Sequence, residues 1–148
     1  MSYKQQSDLY LEDNISKYPA IELLGKMGYI YLSPEECSAQ RTNGYDVLLK
    51  DILRKQLQKL NQFEYDNTLY KFSADNIEKA ISDLDEPLTE GLVRTSEKVY
   101  DSLMLGKSYL ETLADGTAKS FNLKYIDWEH PENNVFHVTE EYSVDSWD

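Results

Sequence analysis

Residues 108–125 read SYLETLADGTAKSFNLKY, and their alternation divides the chain into two kinds of structure. Ser108 to Leu113 has the composition of a strand, and Ala114-Asp115-Gly116-Thr117 is a hairpin-type turn. Phe121, Leu123 and Tyr125 then alternate with Asn122 and Lys124, which places the apolar side chains on one face of a sheet. Upstream of Gly106 the apolar spacing is instead close to 3.6, the period of a helix with one buried face. Helices over about 1–106 followed by strands over about 107–148 make an α+β fold. We read it as a single domain, 1–148, with a small antiparallel sheet or hairpin at its C-terminal end.

Working outward, the helix ahead of the switch is expected from about Thr89 to Leu105, with Leu92, Val93, Val99, Leu103 and Met104 apolar and Gly106 as its stop. Pro87 separates it from SADNIEKAISDL, which Ser73 opens as N-cap and whose stripe is Ile77, Ala80, Ile81 and Leu84. The strongest periodicity runs from Tyr45 to Asn61, where Leu49, Ile52, Leu53, Gln56, Leu57 and Leu60 share a face. Nearer the start, Ser7 to Met27 is helical with a break and restart at Pro19, and Gly28 ends it. Tyr29 to Leu32 reads as a short strand. Ser33-Pro34-Glu35-Glu36 has the form of a capping box, opening a small helix that fails near Asn43-Gly44.

Downstream, Glu129 to Asn134 is a polar loop, and Phe136, Val138, Tyr142 and Val144 alternate again as a further strand. A sheet of three or four strands on so little chain leaves an open edge. We therefore expect the polypeptide to be a piece of a longer one, with an exposed edge near Phe136 to Val144 that favours pairing with another strand.

Composition removes several classes. The 148 residues carry 15 Lys and Arg against 27 Asp and Glu, a net charge of −12 at pH 7. Such a field repels nucleic acid and anionic lipid, so any DNA contact has to be local or be supplied by another part of a larger assembly. One cysteine, Cys37, makes no internal disulfide and no zinc site by itself. No apolar run approaches the roughly 20 residues of a membrane helix, and the N-terminus lacks the pattern of a secretory signal. A cytoplasmic protein without a membrane partner is expected.

The chemistry-bearing residues are sparse. Cys37, His130 and His137 are far apart in sequence, and no Gly-x-Ser-x-Gly elbow or Gly-x-x-x-x-Gly-Lys loop occurs. His137 reads as a sheet-surface residue and His130 as solvated. Magnesium-dependent nucleases use carboxylates around the ion and a lysine near the attacking water, written linearly as an acidic residue with Lys two positions on. No Asp or Glu of this chain has Lys at that spacing. On the Tyr45–Asn61 helix, Lys50, Arg54, Lys55 and Lys59 fall at i, i+4 spacing (50/54 and 55/59). They are the candidate DNA contact, against the alternative of a solvated helix face.

One stretch resembles a known family. Residues 120–136, SFNLKYIDWEHPENNVF, are similar to the L-x-L-I-D-W-x-x-P-E-N-N-x-F segment near the N-terminus of R subunits of type I restriction enzymes. Leu92 to Gly106, Tyr45 to Asn61, and Ile21 to Tyr29 (IELLGKMGY) resemble the preceding helices of that region, although Thr95 stands where Asn is frequent. The resemblance implies a domain like the PD-(D/E)xK nucleases, within a large subunit that also carries an ATP-driven translocase. It implies Mg²⁺ and ATP for the parent subunit, though no cofactor in this chain. Its partners would be the rest of the R subunit, modification and specificity subunits, and double-stranded DNA.

In that family the strand matching Val135 to Val144 precedes an R-P-D segment and then the acidic-x-Lys strand, so this chain is expected to frame a cutting centre without containing it. Glu22 matches an accessory acidic position on the helix before the first core strand. A stand-alone acidic interaction protein, such as a DNA-mimic anti-restriction factor, is the alternative that the net charge suggests.

Overall fold

The computed structural model describes residues 13–85 and 88–145. They form five α-helices and six short strands, an α+β fold in which the helices lie mostly in the first two-thirds. The contacts divide the chain into two compact units, Val47–Asn134 and the pair Met1–Asp46 with Val135–Asp148.

Within the second unit in chain order, Val47–Asn134, helix α3 (Lys50–Leu60) is followed by strands β2 (Gln62–Tyr65) and β3 (Thr68–Lys71). Helices α4 (Ala74–Leu84) and α5 (Leu92–Leu105) come next, then strands β4 (Lys107–Thr112) and β5 (Ala118–Leu123). The hairpin expected from residues 108–125 is present, with Tyr109 opposite Phe121 and Thr112 opposite Ala118. Its inward face brings Tyr109, Leu113, Leu123 and Tyr125 against Leu57 of α3 and Ile77, Ala80 and Ile81 of α4. Phe63 adds an aromatic cluster, stacking on Phe121 at 4.1 Å between centroids and meeting Phe72 edge-on at 5.2 Å. Gly106 stops α5 with φ 72°, and a Cβ there would strike the Leu123 carbonyl, so the helix-to-strand corner requires glycine.

The β2–β3 hairpin lies in a stretch, residues 62–72, to which the sequence reading gave no structure. Its two-residue loop, Asp66-Asn67, has φ of 50° and 58°, the left-handed pair of a type I′ turn. Asp and Asn tolerate that region, so the turn forms without the glycine that usually announces it.

Helix α3 also begins later than expected. Tyr45 to Leu49 lie outside it because Asn43 and Asp46 bind nearby backbone: Tyr45 N–H donates to Asn43 Oδ1 at 2.9 Å and Thr42 N–H to Asp46 Oδ2 at 3.0 Å. Such side-chain turns compete with helix nucleation. Helix α5 likewise starts at Leu92 rather than Thr89, after a 3₁₀ turn at Leu88–Glu90, and Pro87 lies outside the described residues.

In the other unit a π-helical turn, Asp13–Lys17, leads into α1 (Tyr18–Lys26), with Pro19 in its first turn. The part of the expected Ser7–Met27 helix at 7–12 falls outside the described residues. Strand β1 (Ile30–Tyr31) follows, then α2 (Pro34–Ala39), whose capping box is formed. Glu36 N–H donates to Ser33 Oγ at 3.1 Å and Ser33 N–H to the Glu36 carboxylate at 2.8 Å. The helix ends at Ala39, short of Asn43.

The last strand is much shorter than the alternation suggested. Only β6 (His137–Val138) is extended in a ladder, and it pairs in parallel with β1, Ile30 beside His137. Beyond it the chain turns at Glu141, φ 50°, and Arg41 draws in the Ser143 carbonyl at 2.7 Å. A ladder cannot continue through that corner. Instead of one sheet of three or four strands, the described residues form three two-stranded sheets. Among them no helix is long and apolar enough to cross a membrane.

Leu123 is completely buried at the centre of the larger core. Leu123→Ala removes contacts that the hairpin cannot re-form by collapsing, so a loss of about 2–5 kcal/mol is expected in urea unfolding. A loss below about 1 kcal/mol would show that the core does not close on this residue.

Candidate functional site

The segment that carries the family resemblance folds around one carboxylate. Strand β5 ends at Leu123, and the chain enters a loop whose 3₁₀ turn spans Pro131–Asn133. Asp127, 3% exposed, sits inside it. Its Oδ2 accepts from Lys124 Nζ at 2.9 Å and Asn133 Nδ2 at 3.1 Å, and its Oδ1 accepts from the His130 N–H at 3.1 Å. Asn134 closes the loop in both senses: its Oδ1 accepts from Asp127 N–H at 2.8 Å, and its Nδ2 donates to the Asp127 carbonyl at 2.9 Å. Trp128 Nε1 donates to the Leu103 carbonyl at 2.9 Å, one of the last carbonyls of α5, which have no partner within their own helix.

Lys124 beside it, with the Asn133 amide and the His130 N–H, outweighs burial and holds the Asp127 carboxyl well below the usual carboxylate range. Both of its oxygens are occupied by donors from the protein. A carboxylate so engaged is a fastening and not a base or a free metal ligand. The surface next to it is a cleft of about 280 Å³ bordered by Met104, Leu105, Lys124, Ile126 and Trp128.

A second polar network lies at the end of α4. Tyr109 donates to Asp83 Oδ2 at 2.7 Å, and Tyr125 donates to the Ala80 carbonyl at 2.6 Å. Lys107 Nζ stands 3.1 Å from the same Asp83 oxygen. Burial, with the Tyr125 and Asp83 hydrogen bonds, pushes the Tyr109 phenol far up. Burial also pushes Asp83 up, but the hydrogen bonds from Tyr109 and Lys107 outweigh it and the net shift is downward. The cleft of about 350 Å³ above this network is bordered by Asp83, Lys98, Asp101, Ser102 and Lys107, with charges of both signs.

The residues singled out from sequence occupy different places. Glu22 is exposed on α1 and pairs with Lys26 one turn on at 2.8 Å. On α3, Lys50 pairs with Asp85 at 2.8 Å, while Arg54 binds Asp51 at 2.6 Å and both oxygens of Glu78. Lys59 Nζ lies 3.3 Å from the Asn133 carbonyl, and Lys55 is exposed. His130 stands 3.4 Å from Glu132 in the polar loop, and Cys37 is a buried free thiol.

Magnesium does not fit these residues. Among the described residues no three His, Cys, Asp or Glu side chains converge as a metal site, and Glu22 has a lysine, not a second carboxylate, beside it.

The sequence reading missed Asp127, on which this loop turns, and two further buried polar side chains, Asn61 and Glu111. For Asp127 a signal was available: Asn133 and Asn134 follow it at loop spacing, and Asx side chains bind local backbone. Glu111 had none, since it falls on the inward side of β4 where an apolar residue is expected.

Because the folded Asp127 titrates below its unfolded counterpart, its contribution is complete above the ordinary carboxylate range near 4 and is lost as the pH falls. Glu78, Asp83 and Asp115 shift in the same direction. Urea midpoints should therefore decline from about pH 5 towards pH 2. Asp127→Asn should lower Tm at neutral pH by on the order of 5 °C and make that acid decline shallower. An unchanged acid limb would remove Asp127 from this role.

No curated protein matches the chain, and no solved structure does. The family described as "Type I restriction enzyme R protein N terminus" matches residues 9–148. That match includes the Asp127 loop together with every described helix and strand, and the chain belongs to this family of type I restriction enzyme R protein N-terminal regions.

Proposed function

We propose that the chain supplies helical framework and strands to the DNA-cleaving domain of a type I restriction R subunit, and that by itself it cuts nothing. The observation carrying this reading is the family match over residues 9–148. Two features of the chain support the second half. No acidic residue has Lys two positions on, and Glu22, the carboxylate for which the resemblance implies an accessory metal role, is exposed and paired with Lys26. The PD-(D/E)xK-like character of the complete domain belongs to this proposal.

On the same reading Mg²⁺ serves cleavage and ATP serves translocation in the whole subunit, through residues other than these. The partners are the rest of the R subunit, the modification and specificity subunits and double-stranded DNA, and the setting is the cytoplasm. The competing reading, an acidic DNA mimic, draws on the net charge of −12. Against it, carboxylates of the described residues are tied to cations, as in Lys124–Asp127, Lys107–Asp83 and Arg54–Glu78.

Supercoiled plasmid incubated with the purified chain, Mg²⁺ and ATP should stay supercoiled. Nicking that follows the protein at constant specific activity through successive columns would overturn the proposal. If the chain instead binds a modification enzyme with an affinity that falls steeply with salt, the mimic reading replaces it.

For DNA, the proposal leaves α3 a contact through Lys55 and Lys59, since Arg54 is committed to Asp51 and Glu78. In an R-containing complex, Lys55→Ala with Lys59→Ala should reduce the slope of log affinity against log salt by about 2. An unaltered slope takes this helix out of the DNA interface.

A further inference from the structure

Helix α5 (Leu92–Leu105) carries apolar side chains on two sides. Thr95 is buried, and Leu103 packs against the core of the Val47–Asn134 unit. Val93, Tyr100 and Met104 face away from that core and are exposed by 73%, 62% and 42%. With Glu97, also exposed, they occupy positions 93, 97, 100 and 104. Alternating steps of four and three residues are the spacing of a heptad seam, in which Val93 and Tyr100 take d positions and Glu97 and Met104 take a positions. An apolar stripe on the solvent side of a helix marks a surface for a second helix.

The charged residues of this surface select the occupant. Glu97 sits in the middle of the seam, and Arg94 and Asp101 lie along one edge of it at e positions. A second copy running parallel would set Glu97 against Glu97. In an antiparallel copy a positions face d positions, and the register that sets Val93 against Met104 of the second copy also sets Glu97 against its Tyr100. The Tyr100 phenol is a donor and the Glu97 carboxylate an acceptor. With the helices running oppositely, the edge bearing Arg94 and Asp101 lies against the same edge of the second copy. Arg94 then meets Asp101 and Asp101 meets Arg94, a surface complementary to itself. Within its own chain Arg94 is 3.4 Å from Glu90, an exposed pair that the second copy's Asp101 can join.

We propose that two copies of the chain dock through antiparallel α5 helices, with Val93 packed on Met104, Glu97 accepting from Tyr100 and Arg94 paired with Asp101. The contact is isologous, so each of these interactions occurs twice and the assembly closes at two copies. The seam is about 21 Å long, shorter than a standard interface, and the dimer belongs to the weak, transient class. At about 0.15 M salt the repulsion between two chains of net charge −12 is screened beyond about 8 Å, whereas the Arg94–Asp101 pairs act at contact.

Sedimentation equilibrium of the full chain at that salt, from about 10 µM to about 1 mM, should show an average mass rising from 17.2 kDa towards twice that value. Arg94→Asp and Asp101→Arg each set like charges together at both symmetric positions, and each should weaken dimerisation about tenfold. Mixed in equal amounts, the two variants place opposite charges together again, and the mixture should dimerise as strongly as the unaltered chain. Circular dichroism checks that each variant is folded. A chain that stays monomeric to about 1 mM overturns the proposal. Dimerisation that neither variant weakens puts the contact on another face, and a mixture no stronger than its components rejects the antiparallel register; either result also overturns it. Should a charge variant fail to fold, Met104→Glu, at an exposed position of the seam, takes its place, and a dimer as strong as that of the unaltered chain is then the overturning result.

Discussion

The chain leaves strand β5 at Leu123, a side chain with no exposure, and the next backbone amide has no ladder to join. The β4–β5 register ends with Lys107 opposite Leu123, so the Lys124 N–H and C=O need partners from elsewhere. Asn61 provides both: its Oδ1 accepts from Lys124 N–H and its Nδ2 donates to the Lys124 carbonyl, each at 2.8 Å. One amide side chain thus acts as a strand neighbour would. Asn61 is also the residue that ends α3, where its own N–H and its Nδ2 reach the Leu57 carbonyl at 3.2 and 3.0 Å. The C-terminus of α3, the end of β5 and the start of the Asp127 loop are therefore held at one point.

Carboxylates do much of the fastening in this molecule. Glu111, buried on β4, accepts from the Ser73 N–H at 2.9 Å, the Ser73 hydroxyl at 3.1 Å and Asn76 Nδ2 at 2.8 Å. That places a negative charge against the N-terminus of α4, where the helix dipole favours it. Asp127 organises the loop after β5, Asp83 receives Tyr109 and Lys107, and Glu78 joins α4 to α3 through Arg54. An acidic composition read as a global field misses this use. Acids that accept two or three hydrogen bonds serve as local anchors while their charge still counts in the summed field.

The legible parts of the fold were those fixed by adjacent residues. The Ser33 capping box, the Ser73 N-cap, the stop at Gly106 and the Ala114–Thr117 turn are each decided within four residues, and each lies where the pattern put it. The errors arose where distant groups decide. Phe136 to Val144 alternates like a strand, yet β6 stops at Val138 because Arg41, about a hundred residues earlier, captures the Ser143 carbonyl. The β2–β3 turn went unread for a different reason: Asp66-Asn67 adopts the left-handed conformation without a glycine to mark it. Of the site, the sequence yielded the loop's place and its family, through residues 120–136. It did not yield Asp127 as its centre, because the bonds that define the centre come from Lys124, His130, Asn133 and Asn134 together.

The most recognisable motif of the chain is therefore a piece of architecture. Asp127, Trp128, Asn133 and Asn134 each spend their polar atoms on the loop itself or on the end of α5. A motif can identify a family because a loop has to close in one way, with no reacting group among its letters. Cleavage chemistry needs the reverse condition: carboxylates whose oxygens face a common centre with room for an ion and its water. The tightly bonded carboxylates here fail that condition because they are satisfied. Freeing the Asp127 carboxylate would mean breaking its bonds to Lys124, His130 and Asn133, which hold the loop closed.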